Sequence, residues 1–170
     1  MMKEVECPQS RISLKFIFKS LSDLTYQKYD QIKKTDQDPQ KWWRQELWDL
    51  TDALLNDYAP NYNYDWRSEI GYNLYDEEEA QKIQEYMNFF EKVILDELDY
   101  DFVYDEKSPE SYLDYPKWPL IIEGAKEVYA MMFNKNKEYH FTEFLEIYEK
   151  KYWEKREKEI AEEEKSKIND

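Results

Sequence analysis

The sequence predicts a mainly α-helical, single-domain bundle of about five or six amphipathic helices, with room for one short two-stranded element. Three observations carry this. Apolar residues recur at steps of three and four in five separate stretches, the period of a helix that buries one side. Only two glycines, Gly71 and Gly124, occur in 170 residues, too few for a fold built on many tight turns. The 16 Tyr, 6 Trp and 8 Phe supply large buried areas that offset a charged fraction of 37%, and disordered chains lack such aromatics.

The first helix is expected from Ser10, a fitting N-cap, to about Leu21, with Leu14, Ile17, Phe18 and Leu21 inward and Ile12 and Phe16 near the edges. Asp23 is placed to cap a second helix carrying Leu24, Tyr26 and Ile32, which the polar run from Lys33 to Gln37 ends. Asp38-Pro39 reads as a cap followed by proline in the first turn. The helix it opens runs to about Asp57, with Trp43, Leu47, Leu50 and Leu54 on one stripe. Residues 58–75 break the helical period and read as an aromatic loop, with short strands an alternative at Tyr62–Trp66 and Ile70–Tyr75.

The stretch from Asp76 to Glu106 is the organising element. Ile83, Met87, Phe90, Ile94 and Leu98 fall on one helix face, widened by Ala80 and Val93. Asp76 and Glu79 have capping-box spacing, and acids from Asp76 to Glu79 suit the positive end of the helix dipole. The opposite face and the exit carry Glu85, Glu91, Asp96, Glu97, Asp99, Asp101, Asp105 and Glu106. Asp99 to Pro116 reads as an extended connector or a short strand, with Ser108-Pro109 opening a short helical turn. Pro116 and Pro119 open a helix with Trp118, Ile122, Ala125, Tyr129 and Met132 on one face, where Gly124 and Ala125 allow close helix approach. The last helix starts near Thr142 with Phe144, Leu145, Tyr148 and Tyr152 inward. Beyond Trp153 the apolar stripe fades, so the reading is a helical domain over 1–153 and a charged, exposed helical extension over 154–170.

Charge is concentrated. Residues 51–115 hold 18 acidic and 4 basic side chains, which is −14 of the chain's −15, while the flanks nearly balance. Such a patch steers a cationic partner and opposes direct binding to nucleic-acid phosphates. The candidate partner-binding residues are Asp96, Glu97, Asp99, Asp101 and Asp105, with Tyr100 and Tyr104 beside them. Tyr62, Tyr64 and Trp66 form a second group, since Tyr and Trp serve as interface anchors.

Enzyme chemistry finds little support. Asp99, Asp101 and Asp105 start like a calcium loop, but Tyr104 stands where its glycine is required. His140 is the only histidine and Cys7 the only cysteine, so no His/Cys zinc set and no internal disulfide can be assembled in one chain. Glycine-rich phosphate and dinucleotide motifs are absent. The expectation is a protein that is not an enzyme and uses no cofactor or metal. Lys15 and Lys19 interrupt the N-terminal apolar run, and no stretch approaches a membrane span, so no membrane association and a cytoplasmic, reducing location are expected.

Tyr112-Leu113, Pro116, Trp118-Pro119, Ile122 and Ala125 resemble the Tyr-Leu…Pro-x-Trp-Pro helix opening of a family of small, largely helical bacterial proteins. Ile70-Gly71, Leu74, Asp76 and Glu79 are similar to that family's lead into the preceding helix, and Ser22-Asp23 with Tyr26-Gln27 to its early helix junction, although Leu24 replaces the usual proline. The resemblance covers roughly residues 11–133 and carries over no catalytic residue. In size, acidity and aromatic content the chain also resembles immunity proteins of bacterial toxin systems, including contact-dependent inhibition. The implied function is an acidic inhibitor that covers the active surface of a basic, nuclease-type toxin domain. The alternative is an acidic adaptor or regulator, or a mimic of nucleic-acid charge, with another basic protein partner.

Overall fold

A computed structural model describes residues 5–58, 64–136 and 142–168. The fold is all-α: the described residues form seven α-helices and no strand. They are α1 (Pro8–Ser22), α2 (Tyr26–Thr35), α3 (Pro39–Asp52), α4 (Glu77–Glu91), α5 (Pro109–Leu113), α6 (Trp118–Asn136) and α7 (Thr142–Ile168). A π-helical turn extends α3 over Ala53–Tyr58 and another extends α4 over Lys92–Glu97, while Trp66–Glu69 is a 3-10 turn. Among the described residues, one isolated bridge, Ile70 to Leu74, stands where the sequence leaves room for a two-stranded element. It closes a turn in which Gly71 has φ 89°, a left-handed conformation that suits glycine. The chain divides into two units, residues 1–132 and 133–170, upstream of the point at 153 where the apolar stripe fades.

The caps explain the helix starts. Asp38 accepts from the Lys41 N–H at 3.1 Å, with Pro39 in the first turn of α3. Helix α1 begins earlier than Ser10 because Pro8 occupies its first turn. Thr25, not Asp23, caps α2, accepting from the Lys28 N–H at 3.2 Å. Asp23 instead closes α1, its N–H bonded back to Ser20 and Leu21. Asp76 caps α4 through the Glu79 N–H at 3.0 Å. The Glu79 carboxylate accepts from the Tyr75 N–H at 2.7 Å and takes a bidentate grip from Arg11, at 2.8 Å to Nη1 and 2.5 Å to Nη2. Arg11 also donates to the carbonyls of Asn73 and Met132 and lies 3.7 Å from the centre of the Tyr75 ring. Both charges are fully buried, so this pair joins α1, α4, the 73–75 segment and α6 inside the core.

The apolar stripes meet as their spacing requires. Leu14, Phe18 and Leu21 of α1, Trp43, Leu47 and Leu50 of α3, and Ile83, Met87 and Phe90 of α4 share one core with Trp118, Ile121 and Val128 of α6. Ile94 and Leu98 stay buried because the π turn after α4 carries the stripe onward, with the Leu98 N–H bonded to Val93 O at 2.9 Å. Glu91, expected outside, is buried. Trp118 donates its indole N–H to Leu24 O at 2.9 Å and packs against Trp43 and Tyr112. The Tyr-Leu…Trp-Pro segment is therefore core architecture here. Tyr152, expected inward, is 47% exposed. Phe144, Leu145 and Tyr148 lie outside the described side chains.

Gly124 of α6 lies close against Tyr86 of α4. A Cβ there would sit 2.7 Å from Cδ2 and 2.8 Å from Cε2 of Tyr86. Tyr86 has little freedom to yield, since its hydroxyl donates to Ile121 O at 3.1 Å and its ring packs on Phe18 and Phe90. Gly124→Ala gains about 1 kcal/mol in helix propensity but overpacks at a cost of about 1–3 kcal/mol. A net loss of stability is expected in urea unfolding; a variant more stable than wild type would show that this contact is slack.

Candidate functional site

The acidic exit of α4 becomes a stiff loop. After the π turn, Asp99 takes a left-handed conformation, φ 50°, and the Tyr100 N–H bonds back to Ile94 O at 3.0 Å. This ends the helix much as a C-terminal glycine would, in a conformation that Asp and Asn tolerate best after Gly. Asp101 then folds the chain over itself: its Oδ1 accepts the N–H groups of Val103 at 2.8 Å and Tyr104 at 3.2 Å. These two bonds hold the Asp101 carboxyl below its ordinary pKa. Lys107 straps the loop, donating to Asp99 O at 2.8 Å and to Asp105 at 3.0 Å. Tyr112 of α5 donates to the other oxygen of Asp105. On the α3 side, Trp48 donates its indole N–H to Phe102 O at 3.0 Å.

The loop therefore leans on the last turns of α3, and two acidic segments meet. Tyr100 reports this. Its hydroxyl pKa is raised by burial first, and then by Asp105, Asp52, Asp49 and Asp101. Among the described residues no ion pair engages Asp49, Asp52, Asp96, Asp99, Asp101 or Glu106, and Asp49, Asp96, Asp99, Asp101 and Glu106 are exposed. The tip is apolar: Val103 is 92% and Tyr104 71% exposed, beside a Trp48 that is 39% exposed. The surface thus combines an apolar tip on a hydrogen-bonded loop that carries Asp99 and Asp101 with the neighbouring end of α3, which carries Asp49 and Asp52.

The sequence-level candidates divide on this geometry. Asp99, Asp101 and Tyr104 belong to the loop surface, and Asp96 is exposed on the π turn leading into it. Tyr100 is only 8% exposed and packs edge-on against Phe102, so it is a core residue beneath the loop rather than an anchor. Asp105 is largely buried and committed to Lys107 and Tyr112. Glu97 is paired with Lys117 at the start of α6, an ion pair that with the Tyr115 hydroxyl holds its pKa down. In the second group Trp66 is 1% exposed, with its ring edge-on to Tyr64. Tyr64 is half-buried and donates to Glu69. Tyr62 lies outside the described residues. Trp66 thus anchors the loop to the core, which corrects its assignment as a surface anchor.

Trp48, Asp49, Asp52 and Val103 were missed. The first three sit on the polar side of the α3 stripe, a position that gives no hint of the loop they will meet. Val103 stood between Phe102 and Tyr104, and only the Asp101 turn tips it outward. Among the described residues no group of acids, His and Cys has metal-site geometry, and no helix is long and apolar enough to cross a membrane. No protein-family model, no curated protein and no solved structure matches this chain.

Proposed function

We propose that the protein is an acidic inhibitory binding protein, most concretely an immunity protein that covers the active surface of a basic, nuclease-type toxin domain. The observation that supports this reading is the convergence of Asp49 and Asp52 from α3 with Asp99 and Asp101 from the loop, around exposed Trp48, Val103 and Tyr104. Nuclease domains need Lys and Arg to hold phosphates. Carboxylates on a preformed surface can occupy those cations through charge-assisted hydrogen bonds and exclude the nucleic acid. The aromatic and apolar groups supply the desolvated contact that charges alone do not. No catalytic group of this chain takes part; inhibition is steric and electrostatic.

The test is inhibition. A panel of positively charged bacterial ribonuclease and deoxyribonuclease toxin domains would be assayed with increasing amounts of the protein. Stoichiometric loss of nuclease activity for a cognate domain is expected. Tight binding that leaves activity intact would favour an adaptor or regulator, and no binding to any domain would overturn the reading.

A further inference from the structure

We propose that the Val103–Tyr104 tip is the anchor of this interface, inserted into an apolar recess whose rim carries Lys and Arg. The inference rests on the binding-protein reading above and adds the division of labour within it. Two neighbouring large side chains project at 92% and 71% exposure from a segment whose backbone is fixed at both ends. Asp101 holds the tip's two N–H groups, Trp48 holds Phe102 O, and Lys107 ties Asp99 O to Asp105. A loop exposed merely for solubility would carry polar groups at its tip. A rigid tip loses little conformational entropy when it docks, and Tyr is a preferred anchor because it has few rotors and a polar end. The occupant's charge follows from the carboxylates near the tip: Asp99 and Asp101 within the loop, and Asp49 and Asp52 on the α3 segment whose Trp48 bonds Phe102 O, repel an acidic rim and pair with a basic one. The acids thus govern association, and the tip governs residence time.

Binding kinetics against the panel of catalytically silenced basic nuclease domains separates the two. Tyr104→Ala should raise the dissociation rate of the bound domain about tenfold or more, and Val103→Ala about threefold or more, with association rates within about twofold of wild type. Thermal midpoints should not change, since both side chains are exposed. Asp101→Asn keeps an oxygen for the Val103 and Tyr104 N–H groups but removes the charge, so it should slow association and leave dissociation near wild type. Asp101→Ala removes both and should also speed dissociation. A wild-type complex whose dissociation rate is unmoved by Tyr104→Ala and Val103→Ala overturns the anchor while leaving the inhibitor reading in place. Failure of wild type to bind any domain overturns both.

Discussion

Arg11→Met should destabilise the protein by about 3–5 kcal/mol, because it strands the Glu79 carboxylate in the core without its cation. The Tyr75 N–H still donates to Glu79, but the two guanidinium bonds and the links to Asn73 O and Met132 O disappear together. Arg11→Lys should recover only part of the loss, since an ammonium cannot reproduce the fork that reaches both carboxylate oxygens and two carbonyls. The double replacement Arg11→Met/Glu79→Leu should be more stable than Arg11→Met alone. Most of the penalty is the unpaired charge, not the net worth of the pair. Urea unfolding of the three variants checks this. An Arg11→Met midpoint equal to that of wild type would mean that the pair is solvated.

Phe90→Ala should cost about 3–5 kcal/mol. Phe90 is fully buried at the centre of the α4 stripe and stacks on Tyr86, ring centres 6.0 Å apart. Tyr86 in turn meets Phe18 edge-on and turns its Cδ2–Cε2 edge toward Gly124, so the cavity would open where α1, α4 and α6 converge. Those neighbours are held by their own contacts and cannot collapse freely into the space, which puts the loss toward the upper part of the range. A loss of unfolding free energy below about 1 kcal/mol in equilibrium denaturation would contradict the placement of this residue.

The helices were legible because their signals are local. Asp38-Pro39 and Asp76 act through bonds to residues within one turn, and the Ile83–Phe90 stripe needs only its own period. Glu79 was read as half of a capping box because that rule is local too; its partner Arg11 is 68 residues away. A signal was present. Arg11 stands three residues before Leu14 and Glu79 four before Ile83, each a charge on an apolar stripe, and such a charge needs a buried partner. The acidic surface was half legible for the same reason. The loop acids are contiguous, whereas Asp49 and Asp52 join them only through packing. Trp66 and Tyr100 were misplaced because aromatic residues serve cores and interfaces alike, and period alone does not separate the two outside a helix. Asp105 illustrates a further limit: neither Lys107 nor Tyr112 is marked in the sequence as the group that will bind it.

The most direct test of the cationic-partner account is the salt dependence of association with whichever basic domain the proposed inhibition assay identifies as a partner. Wild type would be compared with Asp49→Asn/Asp52→Asn/Asp99→Asn/Asp101→Asn. Asn keeps a side-chain oxygen for the Asp101 turn and suits the left-handed backbone at Asp99, so the fold should be retained and circular dichroism would verify it. For wild type the association rate should fall about tenfold or more between low and high salt, because screening shortens to about 8 Å at physiological ionic strength and less above it. The variant should associate slowly at low salt and show a much flatter dependence. Equal association rates and equal salt slopes for the two proteins would contradict the account, and would mean that the partner docks away from these carboxylates.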